Sequence, residues 1–319
     1  VNAAVVESFS APPIYTVFAD PVAGEGEQLV TVTAAGLHPI VRALANGSHY
    51  GSPGELPFIA GVDGVGRLAD GSRVYFGSAR SPFGTFSELA VTRQGFTFPL
   101  PDGLEDTVAA ATANPGMSSW VALGARAKFV AGESVLILGA TGSAGQLAIQ
   151  IAKRLGARHV VAVGRHVDED ALKTLGADSV ISLDQEHDSL VAALREEWSE
   201  AGVDVVLDYL WGRPAEAVLE AIARKGLRQS APRVRFIQIG ETAGTTVSLP
   251  ASTLRSSGLE ILGSGFGSAS MAQIQQSIQD FFATSVSQPF RVAIRAVPLR
   301  EVESLWNAAG DRSRIVFQP

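Results

Sequence analysis

The feature that most constrains this chain is an apolar strand running straight into a glycine-spaced turn and then a helix. Val135-Leu136-Ile137-Leu138 is an unbroken apolar run, and Gly139, Gly142 and Gly145 follow it at intervals of three. Beyond them Leu147, Ile151 and Leu155 recur every four residues, with Ala148 and Ala152 alongside. That spacing gives the one-sided stripe of a helix packed on a sheet, and Gly156 predicts its end. A further strand is expected over 159–163. In such a β-α-β unit glycine lets the backbone approach a diphosphate, and the helix N-terminus offers N–H donors to it. The spacing is G-x-x-G-x-x-G rather than G-x-G-x-x-G, so the flanking strands and helix carry the reading more than the glycines do. Gly139, Thr141, Gly142, Ser143, Ala144 and Gly145 are the candidate diphosphate contacts.

The end of the second strand selects the nucleotide. Units that bind NADH usually place Asp or Glu about 20 residues past the loop, where it accepts from the ribose hydroxyls. Here Val163 is followed by Gly164-Arg165-His166. A carboxylate would repel a 2′-phosphate, whereas a guanidinium grips it through forked, charge-assisted hydrogen bonds. Gly164, Arg165 and His166 therefore favour NADPH. Asp168 and Glu169 keep open the alternative of a carboxylate touching the ribose.

The alternation of strand and helix continues beyond this unit. Strands are expected over 179–182, 204–208, 235–239 and 259–263, with helices over 169–175, 189–198 and 214–224, a pattern that describes a doubly wound parallel sheet. Before Thr112 the texture differs. Short strand-like stretches such as 28–34, 73–76 and 86–91 lie between Gly, Pro and Asp clusters, and helical periodicity is rare. A mixed tail from 269 (helix to about 282, strand 291–297, helix 299–308, strand 314–317) is expected to return the chain to that β-rich part. At 319 residues two domains are the expectation: a β-rich domain from 1–115 and 269–319, and an α/β nucleotide domain from 116–268.

A formal net charge of −7, with no Lys/Arg-rich run, argues against a nucleic-acid binder, which needs a concentrated positive face. No apolar stretch approaches the roughly 20 residues of a membrane-spanning helix, and a cytoplasmic address is the default expectation. The absence of cysteine removes disulfides, thiolate nucleophiles and cysteine-bound zinc together. No Gly-x-Ser-x-Gly lies between strand and helix with convincing partners, which disfavours a hydrolase.

Several segments outside the loop complete a resemblance that spans nearly the whole chain. They are Ala35-Gly36-Leu37-His38-Pro39, Pro57-Phe58-Ile59-Ala60-Gly61-Val62-Asp63-Gly64-Val65-Gly66, Gly71-Ser72-Arg73-Val74-Tyr75, and Asn114-Pro115-Gly116-Met117-Ser118-Ser119-Trp120. Together with the stretch from Gly139 to Leu175-Gly176-Ala177-Asp178, the chain resembles the medium-chain dehydrogenase/reductase superfamily, most of all its zinc-free quinone oxidoreductase and enoyl reductase branches. The resemblance implies a GroES-like substrate domain from both chain ends and a Rossmann domain between them. It also implies hydride transfer from NADPH to a small-molecule acceptor, a quinone or an enone. The zinc ligands of metal-dependent relatives fall on His38, Val62 and Asn114, with Asp63 where a Glu usually follows. One imidazole beside a valine and an amide cannot fix catalytic zinc, so no metal is expected.

The remaining site expectations are less sharp. Tyr50 stands where enoyl reductase relatives carry a tyrosine that polarises or protonates the substrate, and packing is its other reading. His38 is a candidate substrate or cofactor hydrogen-bond partner, or else a packed histidine. Asn114 and Ser118 fall in a segment that lies near the nicotinamide in relatives, although Asn114 also suits a turn before Pro115. Gly240 ends a strand at the sheet edge where such folds place ligands. Phe266, in Gly263-Ser264-Gly265-Phe266-Gly267, is a candidate for the nicotinamide and substrate pocket, and Trp211 for the pocket wall, with plain core the alternative for both. Relatives often pair the edge strands of two Rossmann sheets, which makes 259–263 the expected seam of a homodimer. A catalytically inactive NADPH sensor with the same fold is the competing function.

Overall fold

The computed structural model describes residues 1–200, 202–223, 231–265, 267–308 and 313–319. The chain forms two compact units, Val1–Pro115 with Ile278–Pro319, and Gly116–Ser277. It begins with β1 (Asn2–Val6), β2 (Ile14–Val17), β3 (Glu27–Gly36), α1 (Pro39–Ala45), β4 (Phe58–Ile59), β5 (Asp63–Arg67), β6 (Arg73–Gly77), β7 (Leu89–Arg93) and β8 (Thr97–Pro99). Helix α1 was not expected from periodicity, yet it carries a local start signal. Pro39 occupies its first turn, where a missing N–H costs nothing, and His38 is the N-cap residue. Helix α2 (Asp106–Val121) runs through Pro115, where a texture change suggested a boundary. Burial overrides the local rule: Ala109, Ala110, Ala111, Thr112 and Ala113 are all inside. A six-residue π-helical segment, Ala122–Ala127, follows it.

The middle of the chain alternates strand and helix: β9 (Ser134–Leu138), α3 (Ser143–Arg154), β10 (His159–Gly164), α4 (Glu169–Leu175), β11 (Ser179–Ser182), α5 (His187–Glu200), β12 (Val205–Asp208), α6 (Gly212–Ile222), β13 (Arg233–Gln238), α7 (Ala251–Ser256) and β14 (Gly258–Gly263). The strands form one six-stranded sheet in the order β11-β10-β9-β12-β13-β14, every pairing parallel. This is the doubly wound order of a Rossmann fold, which reverses direction beside β9 and leaves a crevice at the carboxyl ends of β9 and β12. Both strands are buried along their whole length, as central parallel strands covered on two faces must be. Leu147, Ala148, Ile151 and Ala152 of α3 are buried as the stripe predicts, whereas Leu155 is half-buried and Ile149 and Gln150, off the stripe, are buried as well; Gly156 follows with φ +91°. Strand β14 is the sheet's edge.

Helix α8 (Met271–Ser287) leads back to the first unit and is followed by β15 (Ile294–Pro298), a 3-10 turn (Leu299–Glu301), α9 (Val302–Leu305) and β16 (Arg314–Gln318). The return falls at Ile278, inside α8. From there Phe281 stacks on Phe290 and Phe282 meets Tyr75 edge-on, both within the first unit. A seven-stranded sheet runs β15-β16-β3-β5-β6-β8, with β7 also paired to β3, and β2-β1-β4 form a smaller sheet. Its core gathers Val30, Val32, Val74, Phe76, Phe86 and Phe317. Among the described residues no helix is long and apolar enough to cross a membrane.

Candidate functional site

The glycine loop is pinned to the end of β10. The N–H groups of Gly139 and Ala140 both donate to the Val163 carbonyl, at 2.8 and 2.9 Å, and Gly139 takes φ +99° to make the turn. At Gly145 the loop and α3 come so close that a Cβ would sit 2.2 Å from the Gly139 carbonyl oxygen and 2.6 Å from the Ala140 Cα. Only glycine fits there. The N-cap residue of α3 is Gly142, and no side chain caps the helix. The first-turn N–H groups of Ser143 and Ala144 are thus left for an anion, with the helix dipole behind them. Thr141 presses on Gly164, whose Cβ would lie 2.7 Å from the threonine methyl.

Beyond Gly164 the charges sort themselves. Asp168 accepts from the Ala171 N–H at 3.0 Å as the N-cap of α4, and Glu169 pairs with Lys173 at 2.7 Å. Both carboxylates that could have served a ribose have structural partners. His166, at φ +48°, faces Asp184 across 3.3 Å. Arg165 is exposed and makes no ion pair or hydrogen bond among the described residues, so its guanidinium is free for a phosphate.

Against the glycine loop, at the end of the neighbouring strand β12, lies a turn that sequence reading passed over. Asp208 ends β12 fully buried, and its Oδ1 accepts from the N–H groups of Leu210 and Trp211 at 2.8 and 3.0 Å. Its Oδ2 has no partner. Burial pushes the carboxyl up to about 6, against the two N–H donors. The available signal was a lone acidic residue closing an apolar run, Val205-Val206-Leu207-Asp208. Because the folded value lies above the usual 3.8, the native state holds this proton more tightly than the unfolded chain does. The group's contribution is therefore most favourable below about pH 4 and declines as pH rises through about 6, by about 3 kcal/mol. Asp208→Asn should remove that slope, so its stability relative to the parent protein should improve from pH 4 to pH 7. Parallel denaturation curves at the two pH values, with a constant difference between variant and parent, would exclude this.

The neighbouring residues are bound into the same turn. Tyr209 shares a 3.3 Å hydroxyl contact with Ser118, and burial pushes its phenol up to about 12. Gly240 donates to the Asp208 carbonyl, and a Cβ on it would lie 2.6 Å from the Tyr209 oxygen. Trp211 takes φ +58° and, half-buried, meets Phe236 edge-on against the core. Phe266 lies outside the described residues.

The first unit holds a separate buried polar cluster. His38 is 1% exposed and neither ring nitrogen has a hydrogen-bond partner. Its Nε2 lies 3.7 Å from Asp63 Oδ2. Asp63 accepts from the Tyr75 hydroxyl at 2.9 Å and from the Asn114 amide at 3.1 Å, so Asn114 is tied to Asp63 rather than to a turn. Burial, and then the Asp63 charge, hold the Tyr75 phenol well above its ordinary value, which keeps it a donor. Arg314 is buried nearby, donating to the Leu37 carbonyl at 2.9 Å. Burial lowers it to about 10, still a cation at neutral pH. The result is an imidazole with no hydrogen bond to either nitrogen beside a carboxylate whose two oxygens each accept one. Tyr75 was the member that sequence reading missed. Tyr50 is not part of this cluster: it is 82% exposed and stacks on His49.

These features define a two-unit α/β protein whose second unit carries a dinucleotide-type phosphate loop. Residues 144–283 match the zinc-binding dehydrogenase family model. The chain is 29% identical over its whole length and that of a "probable NADPH-dependent quinone reductase" of Emericella nidulans. It is 31% identical, over 68% of its length, to a mycocerosic acid synthase-like polyketide synthase of Mycobacterium tuberculosis, of which it covers 10%. Among solved structures, the quinone oxidoreductase of Thermus thermophilus, solved also in complex with NADPH, superposes with a TM-score of 0.80 at 25% identity, all of both chains being covered. By these matches the chain is similar to the medium-chain dehydrogenase/reductase superfamily, above all to its quinone-reductase-like branch.

Proposed function

We propose that the protein is an NADPH-dependent oxidoreductase that transfers hydride to a quinone or an activated alkene without zinc. The observation that carries this reading is the unpaired Arg165 at the end of β10, beside an uncapped α3 N-terminus. A cation for a 2′-phosphate and free N–H groups for a diphosphate are what NADPH requires. Gly145 supplies the fit test, since only a residue without a Cβ lets α3 close on the Gly139 carbonyl and sets the helix N-terminus against the loop. The E. nidulans and T. thermophilus relatives, by name an NADPH-dependent reductase and a quinone oxidoreductase crystallised with NADPH, support the same cofactor and acceptor class.

Zinc does not fit the donor set. The chain has no cysteine, Val62 offers no ligand atom, and Asn114 is engaged with Asp63. Bound NADPH would supply the hydride, and the protein's part is orientation and hydrogen bonding. Ser143 and Ala144 would hold the diphosphate, Arg165 and His166 the adenosine end, and Ser118 and Gly240 the nicotinamide end. His38 offers its ring N–H to the acceptor oxygen, and burial strengthens that hydrogen bond. Residues 1–115 and 269–319 form the GroES-like substrate domain of this reading. Two chains pair through β14, the free sheet edge.

The exposure of Tyr50 favours one competing reading, a non-catalytic NADPH sensor, because it leaves a candidate proton donor open to water. Purified protein mixed with NADPH and a panel of quinones and enones separates the two. Loss of absorbance from the reduced cofactor is expected with at least one acceptor. Tight binding with no turnover on the whole panel would leave the sensor. Light scattering on the same preparation should give twice the chain mass, and a monomer would rule out the β14 pairing.

A further inference from the structure

We propose that Asp208 is a positioning residue for the dinucleotide site: its carboxylate fixes the Tyr209–Gly212 turn, and that turn sets the spacing between the glycine loop and the end of β13. The inference rests on the NADPH reading above. Asp208 needs no contact with the nucleotide to act.

The turn is costly to make. Trp211 and Gly212 both take positive φ, at +58° and +57°, and Trp211 is a bulky residue for which that conformation is unfavourable. What holds it is one carboxylate oxygen, which accepts from both Leu210 and Trp211 N–H. A carboxylate is a stronger acceptor than a neutral oxygen, and two N–H groups converge on one that is itself fully buried. Burial works against the charge that makes this acceptor strong, and the second oxygen is left without a partner. An apolar side chain would suit the burial better, so the position spends stability on geometry.

That geometry reaches both walls of the crevice. On one side the Tyr209 N–H donates to the Leu138 carbonyl at 3.0 Å, and Tyr209 Cβ and Leu210 Cδ2 stand 3.2 Å from where a Cβ of Gly139 would be. On the other side the Tyr209 carbonyl accepts from the Thr242 hydroxyl at 3.2 Å and closes on Gly240, and the Leu210 carbonyl accepts from the Ala243 N–H at 2.8 Å. The turn is thus wedged between Gly139, which opens the phosphate loop, and Gly240, two residues past the end of β13. Released from Asp208, the two positive-φ residues relax, and both walls lose their spacer.

NADPH affinity, followed by quenching of protein fluorescence well below the unfolding temperature, tests this. In Asp208→Ala the dissociation constant should rise at least about tenfold, whereas Asp208→Asn, which keeps an accepting oxygen, should stay within about threefold of the parent protein. Asp208→Leu guards against misfolding of the alanine variant: it fills the volume, offers no acceptor, and should lose affinity as the alanine variant does. Folded Asp208→Ala or Asp208→Leu protein with unchanged affinity overturns the proposal, as does an equal loss in Asp208→Asn. Failure of the parent protein itself to bind NADPH would instead refute the underlying cofactor reading.

Discussion

Gly145→Ala should all but abolish NADPH binding while leaving most of the protein folded. The added methyl would begin 2.2 Å from the Gly139 carbonyl oxygen and 2.6 Å from the Ala140 Cα, both backbone atoms with no rotamer to yield. Relief requires α3 to slide or the loop to open, and either displaces the N–H groups of Ser143 and Ala144 from the diphosphate. Overpacking of a well-filled contact typically costs about 1–3 kcal/mol, and an overlap this deep belongs at the upper end. A rise of about a hundredfold in the NADPH dissociation constant is expected, with a lowered melting temperature. Near-parental affinity in calorimetric titration would show that the diphosphate does not rest on this loop.

Arg165→Ala should separate the two nicotinamide cofactors. The guanidinium has no partner among the described residues to lose, so its removal leaves the fold as it is. Its expected role is a charge-assisted contact with a 2′-phosphate, of the order of 1.5–3 kcal/mol. NADPH should bind roughly ten to a hundred times more weakly, and NADH, which lacks that phosphate, nearly as before. Equal weakening of both would remove Arg165 from the phosphate site. Of the charged residues just past β10, Asp168 and Glu169 have helix-capping and ion-pair duties, which makes this single substitution a clean one.

The nucleotide half was legible because its cues are local. The apolar run of β9, the glycines after it and the four-residue recurrence in α3 each follow from neighbours in the chain. The first unit was harder. Strand β5, Asp63-Gly64-Val65-Gly66-Arg67, has little strand propensity of its own, and it exists because β3 and β6 flank it. Helix α2 defeats its internal proline by the same means, tertiary burial. The site residues divide similarly. His38 and Asn114 could be singled out from motif positions, but their meeting at Asp63, and Tyr75's part in it, depends on strands distant in sequence. Asp208 was missed because a carboxylate at a strand end normally suggests a solvated turn, and only the surrounding structure shows it buried. Tyr50 had a motif position and nothing to enclose it.

The pairing of β16 with β3 ties Val316 to Gly36 and Phe317 to Ala35. As the chain leaves the ribosome, β3 must therefore wait for a partner, β16, made after every strand of the second unit. The parallel sheet of the second unit draws all its strands from between residues 134 and 263 and has no such dependence. Synthesis accordingly delivers a nucleotide-binding sheet before the unit that precedes it in sequence can be completed, and the order of assembly runs opposite to the order of reading at the N-terminus.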